Sequence, residues 1–299
     1  MMRLNLKPTI SKILSLLFII SVSACTPDKS SEEAATEEFD QAEKQLKDQI
    51  EEIVYHIPPP AEIPYILQAT GVEFNEGLIN DIGKAETYRN DNNKAALNLG
   101  IYATDIGYLS NYEKAQKALS YLTNVKPLAD QIGVTGALEQ QVVQRFESNL
   151  STKDSLTTII NEVIENADEH LKDNDRNEAA AMMLAGTFTE GLYIACSLVR
   201  DYPRDILSEE NRKLILIPLV TLILEQEQPL ADLTKLLGSL ESNATTTELV
   251  GMTTDLATKY SDLNIQEKIR NNEGVSLLED ESLAGVTEQV IKIRDYITN

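Results

Sequence analysis

Two cysteines and two histidines are all that this 299-residue chain offers of the side chains that bind soft metals or build nucleophile–base pairs. A zinc or copper centre of ordinary composition is therefore not expected, and no metal or cofactor is assigned. The usual catalytic signatures are missing as well. There is no His-Glu-x-x-His, no glycine-rich phosphate loop closing on Lys-Ser or Lys-Thr, no Cys-x-x-Cys and no Gly-x-Ser-x-Gly. Positive charge is also scarce: 26 basic residues stand against 48 acidic ones, for a formal net charge of −22. A field of that sign repels phosphate backbones and anionic lipid, so no nucleic-acid partner is expected. No catalytic residue is assigned, and the chain reads as more binding module than enzyme.

What is present begins with a secretion signal. Arg3, Lys7 and Lys12 precede an apolar run from Ile13 to Val22, and no acid occurs before Asp28. At about ten residues that run is too short to span a bilayer, which needs roughly twenty. Ser23 and Ala24 are small, and Cys25 follows. The segment Val22-Ser23-Ala24-Cys25 resembles the lipobox of bacterial lipoproteins. The resemblance implies that a signal peptide of residues 1–24 is removed and that Cys25 carries a diacylglycerol thioether. It also implies an acylated (palmitate-type) new N-terminus, with two or three chains giving a firm membrane anchor. An ordinary secretory signal beside a chance cysteine is the alternative. Thr26, rather than Asp, follows the cysteine; by the resemblance to Gram-negative lipoproteins this implies the outer membrane, on either its periplasmic or its outer face. Residues 25–39 are rich in Ser, Glu, Ala and Thr without apolar periodicity, as expected of an acidic flexible tether.

With Cys25 used for the anchor, Cys196 is the remaining thiol, so an internal disulfide is excluded. Ile194, Ala195, Leu198 and Val199 surround it, which predicts a buried, inert side chain. His56 and His170 lie far away in polar sequence and make a poor match for a catalytic thiol.

Residues 40–299 read as one all-α domain of about ten helices. Leu46, Ile50, Ile53 and Val54 form a stripe ended by Pro58-Pro59-Pro60. Leu138, Val142, Val143, Phe146 and Leu150 form another, as do Leu156, Ile159, Ile160, Val163, Ile164, Ala167 and Leu171. Leu283, Val286, Val290, Ile293 and Ile297 alternate spacings of three and four up to the last residues. Asn75, Asp91, Thr135, Thr152, Ser208 and Asn243 are placed as N-caps, and Gly71 and Gly133 as stops. No segment alternates as a strand would.

Two stretches, Lys94 to Leu109 and Glu178 to Val199, are apolar on nearly all sides, which predicts helices at the centre of the bundle. At an offset of 85, Ala96, Leu99, Thr104, Asp105 and Tyr108 align with Ala181, Leu184, Thr189, Glu190 and Tyr193. Pro127-Leu128-Ala129-Asp130 recurs as Pro229-Leu230-Ala231-Asp232, at an offset of 102, which calls for an insertion near Arg200 to Arg212. These matches suggest two related multi-helix halves, about 76–132 and 158–240. Chance similarity between two Ala- and Leu-rich helices is the competing account.

The twinned helices also hold the candidate ligand-binding residues, Tyr102, Asp105, Tyr108, Thr189, Glu190 and Tyr193. Carboxylates are rarely buried without partners. A tyrosine hydroxyl one turn away is expected to donate to each, and Gly100, Gly107, Gly186 and Gly191 to let the backbones close up. The cluster then reads either as a polar pocket for a small cationic or hydroxylated ligand, or as hydrogen bonds that set helix register. Asp173, Asp175 and Asn177 have the spacing of the start of an EF-hand, but Glu178 and Leu184 stand where its glycine and bidentate glutamate belong.

Through Tyr55-His56-Ile57-Pro58 and Gly191-Leu192-Tyr193-Ile194-Ala195, the body loosely resembles uncharacterised all-helical lipoproteins of Gram-negative bacteria, a likeness that implies no activity. The function expected is a membrane-anchored, non-enzymatic protein- or peptide-binding or scaffold module. A small-molecule receptor built on the polar pocket is the alternative, and an enzyme with Asp105 and Glu190 as paired carboxylates is the third reading.

Overall fold

The computed structural model describes residues 71–134, 140–149, 176–202, 209–264 and 281–299, with scattered positions between 152 and 166. The signal and tether, the stripe at 46–54, His56, His170, Asp173 and Asp175 lie outside the described residues, as do the caps at Thr135 and Ser208. Among the described residues, nine α-helices run in chain order: α1 (Asn92–Asn111), α2 (Ala115–Asn124), α3 (Lys126–Ile132), α4 (Gln140–Ser148), α5 (Asn177–Asp201), α6 (Glu209–Leu224), α7 (Glu227–Ser239), α8 (Ala244–Asp262) and α9 (Glu281–Thr298). Two 3-10 helices, Glu76–Leu78 and Ile82–Asn90, precede α1. The fold is all-α, with no strand among the described residues.

Local chemistry explains the boundaries. Asp91 caps α1 by accepting from the Lys94 amide at 2.9 Å. Asn243 and Thr246 form a reciprocal capping box on α8. Asn75 caps the first 3-10 helix. Gly133 ends α3 with φ +80° and satisfies carbonyls of the last turn, the left-handed stop that favours glycine. Tyr202 turns extended at the end of α5, as a residue before proline (Pro203) must.

The centre of the molecule is the α1–α5 pair. Asn93 meets Glu178, and Thr104 donates to the Thr187 carbonyl. Residues that rise in number along one helix meet residues that rise along the other, so α1 and α5 run in the same direction. Parallel neighbours need a long connection, and α2–α4 lie on it. α2 and α3 pack on α1, α6 packs on α5, and α7 packs against α8. α9 closes the bundle against α5 and α8. Its predicted stripe is the buried one: Leu283, Val286, Val290, Ile293 and Ile297 are all inside. α5 is long and apolar enough to cross a membrane by length and composition, but 89% of that window is buried within the fold. Its apolarity is therefore that of a core helix surrounded by other helices.

Candidate functional site

Helical spacing sets Tyr102, Asp105 and Tyr108 at successive turns of α1, and Thr189, Glu190 and Tyr193 along one stretch of α5. The parallel pairing of these helices brings Asp105 and Glu190 together. Both carboxyl groups are wholly buried, at 0% exposure.

Their partners come from elsewhere in the chain. Arg294, on α9, grips Glu190 with a two-point fork, Nε to Oε2 at 2.7 Å and Nη2 to Oε1 at 2.9 Å. The same Nη2 donates to the Leu78 carbonyl at 3.2 Å. The guanidinium also lies over the Tyr193 ring, 4.1 Å from its centroid. Asp105 Oδ2 accepts from the Asn80 amide at 3.0 Å. Asn80 is itself held down, because Tyr121 donates to its carbonyl at 2.8 Å.

The electrostatics follow from this geometry. Burial pushes the Asp105 carboxyl well above the usual carboxylate range, the charge on Glu190 pushes further the same way, and Arg294 opposes both. Glu190 is raised by burial too, but Arg294 counters this more directly through charge and hydrogen bonds. Burial works against the charge of Arg294, yet Glu190 outweighs it and leaves the guanidinium more firmly protonated than usual.

The tyrosines depart from the expectation. Tyr102 donates to the Asp81 carbonyl at 2.8 Å, not to a carboxylate. The Tyr108 hydroxyl accepts from the Asn75 amide at 3.0 Å, and its ring stacks on Phe74 with centroids 5.2 Å apart. The reason is reach. A tyrosine extends past the first layer of neighbours, so these two rings end at the backbone of residues 75–81, which crosses over α1. Tyr193 serves Arg294 through its ring face. Thr189 is buried on α5.

Arg294 and Asn80 were the residues that sequence reasoning missed. Arg294 lies four residues after Val290 and three before Ile297, both buried, so a lone arginine on the edge of an apolar stripe was the available signal. Asn80 contributes only its backbone amide to Asp105, which no side-chain pattern could announce.

Two other features lie away from this centre. Cys196 is buried, and burial pushes its thiol up to about 12. A surface cleft of about 560 Å³ is lined by Phe74, Glu76, Glu113, Lys114 and Lys117. There Lys117 pairs with Glu76, and the Lys114 ammonium sits 5.3 Å from the centre of the Phe74 ring. Among the described residues, no group of three or more His, Cys, Asp or Glu side chains is arranged to hold a metal ion.

Comparison with protein-family models, with curated proteins and with solved structures finds no match.

Proposed function

We propose that this chain is an exported bacterial lipoprotein, cut before Cys25 and anchored at the outer membrane, whose helical body acts as a non-enzymatic binding or scaffold module. The order of charge, apolar run, small residues and cysteine over residues 3–25 supports the anchor. The observation that carries the second half is the Arg294–Glu190 fork. The chain places its own cation against Glu190, the carboxylate that a cationic ligand would have needed. Asp105 and Glu190 are both sealed from solvent, which also removes them from acid–base work on a substrate. Recognition then belongs to the outer surface.

The proposal includes an origin by duplication. Each half orders a long apolar helix (α1, α5), a second helix (α2, α6) and a third with proline in its first turn, Pro127 in α3 and Pro229 in α7.

Labelled palmitate tests the anchor. The wild-type chain should incorporate it, and Cys25→Ser should not, leaving precursor or a soluble form. A Cys25→Ser chain that still fractionates with membranes at processed mobility overturns the anchor. Cross-linking of the detergent-extracted protein should join it to another protein. Co-purification of a stoichiometric small molecule instead would overturn the scaffold reading.

A further inference from the structure

Two wholly buried acids share one base, the mostly buried Arg294, so the charges at this site do not balance if both acids are ionised. Glu190 has both oxygens taken by Arg294, so that ion pair is complete. Asp105 Oδ2 is satisfied by the Asn80 amide. Asp105 Oδ1, fully buried, then has no N–H or O–H donor among the described residues. An ionised Asp105 would put a second, wholly buried negative charge beside Glu190, with an oxygen lacking a partner. Both costs vanish if Asp105 carries a proton and donates it to Glu190.

We infer that the Asp105–Glu190 pair holds one proton, carried on Asp105 and donated to Glu190, and that this neutral centre is a proton-dependent latch for the C-terminal helix α9. The proton belongs to the pair and is read as a single titration. The groups around it leave it no rival. The phenols of Tyr88, Tyr102, Tyr108 and Tyr121 are each raised by burial and stay neutral. Tyr193 offers its ring to Arg294. The Asp81 side chain faces solvent and caps Gly83.

α9 is the element at stake because its end is tied back across the chain. Asn98 donates to the Ile297 carbonyl at 3.0 Å, and Tyr88 donates to the Thr298 carbonyl at 2.8 Å. Arg294 reaches the Leu78 carbonyl from the same turn. Losing the proton places an uncompensated charge beside the Arg294–Glu190 pair that holds this turn of α9.

The sign is set by linkage. Asp105 binds a proton in the folded state at pH values where the unfolded chain has released it. Stability is therefore lost as pH rises above the ordinary aspartate range, until folded Asp105 itself ionises. Asp105→Asn mimics the protonated acid: its amide N–H₂ can donate to Glu190 and its oxygen can accept from Asn80. Thermal melting of both proteins between pH about 5 and about 9 is the test. The Asn variant should melt above wild type at the alkaline end, with the gap narrowing toward acid. A gap independent of pH, or one that favours wild type as pH rises, overturns the inference. Infrared spectra of the wild-type protein provide a reading that does not depend on the variant's folding. A protonated-carboxyl band that shifts on aspartate labelling with ¹³C is expected at neutral pH. Its absence, or a shift on glutamate labelling instead, overturns the assignment to Asp105.

Discussion

Gly100 of α1 and Gly186 of α5 stand at the point where the two central helices touch. A Cβ on Gly100 would collide with the Met183 carbonyl and lie 2.7 Å from the Thr187 nitrogen; one on Gly186 would collide with the Leu97 carbonyl. The obstacles are backbone atoms inside helices, which cannot step aside as a side chain can. This contact brings the two backbones close enough for a short aspartate and a glutamate to meet.

Gly100→Ala and Gly186→Ala should each destabilise the fold by about 3 kcal/mol or more, beyond the common range for overpacking. Gly238→Ala and Gly251→Ala serve as controls. Both lie on exposed helix surfaces with nothing near a new methyl, and each should stabilise by about 0.5–1 kcal/mol through helix propensity. Urea denaturation of the four variants checks the contrast. Equal effects at all four positions would mean the close approach is not what the glycines provide.

Arg294→Met should cost about 3–5 kcal/mol, because it strands Glu190 as a buried unpaired charge. Arg294→Lys should recover only part of this, since an ammonium cannot reproduce the planar two-point grip. Adding Glu190→Gln to Arg294→Met should restore much of the loss. Denaturation midpoints for these proteins, Glu190→Gln alone and the wild type measure it, and simple additivity of the Arg294→Met and Glu190→Gln effects in the double variant would refute the pairing.

Tyr102→Phe and Tyr108→Phe should each lose about 1 kcal/mol by leaving a backbone group at residues 81 and 75 without its partner. Neither should change how the stability of the protein depends on pH, because neither hydroxyl bonds to Asp105 or Glu190. Melting curves across the pH range test this. A changed profile would place a tyrosine in the proton network.

In a Cys25→Ser chain, Cys196 is the single thiol. Its burial and a pKa of about 12 keep it protonated and out of reach at neutral pH. A thiol-reactive chromophore should register no reaction until denaturant unfolds the protein, after which one equivalent should react. Rapid labelling of the native chain would show that α5 opens locally.

Much of the architecture was legible from periodicity alone. The all-round apolar stretches at 94–109 and 178–199 are α1 and α5, and the three–four spacing of Leu283 to Ile297 is the inner face of α9. Asp91 and Asn243 are caps, as their side chains allow. The meeting of Asp105 with Glu190 was legible only as a demand for partners, since a buried acid must be compensated by something. The tyrosines one turn away answered that demand on paper, and distance along the helix made them the natural choice.

The sequence by itself determined the helices, their buried faces and the two acids placed on the most apolar of them, because hydrophobic spacing and capping act within a few residues. Only the tertiary structure decided what those acids bind. Arg294 lies 104 positions from Glu190 and reaches it because α9 folds back over α5. The Asn80 amide reaches Asp105 because the segment before α1 crosses over that helix. Such partners are selected by the free energy of closing the whole bundle around a charge, which no local pattern encodes.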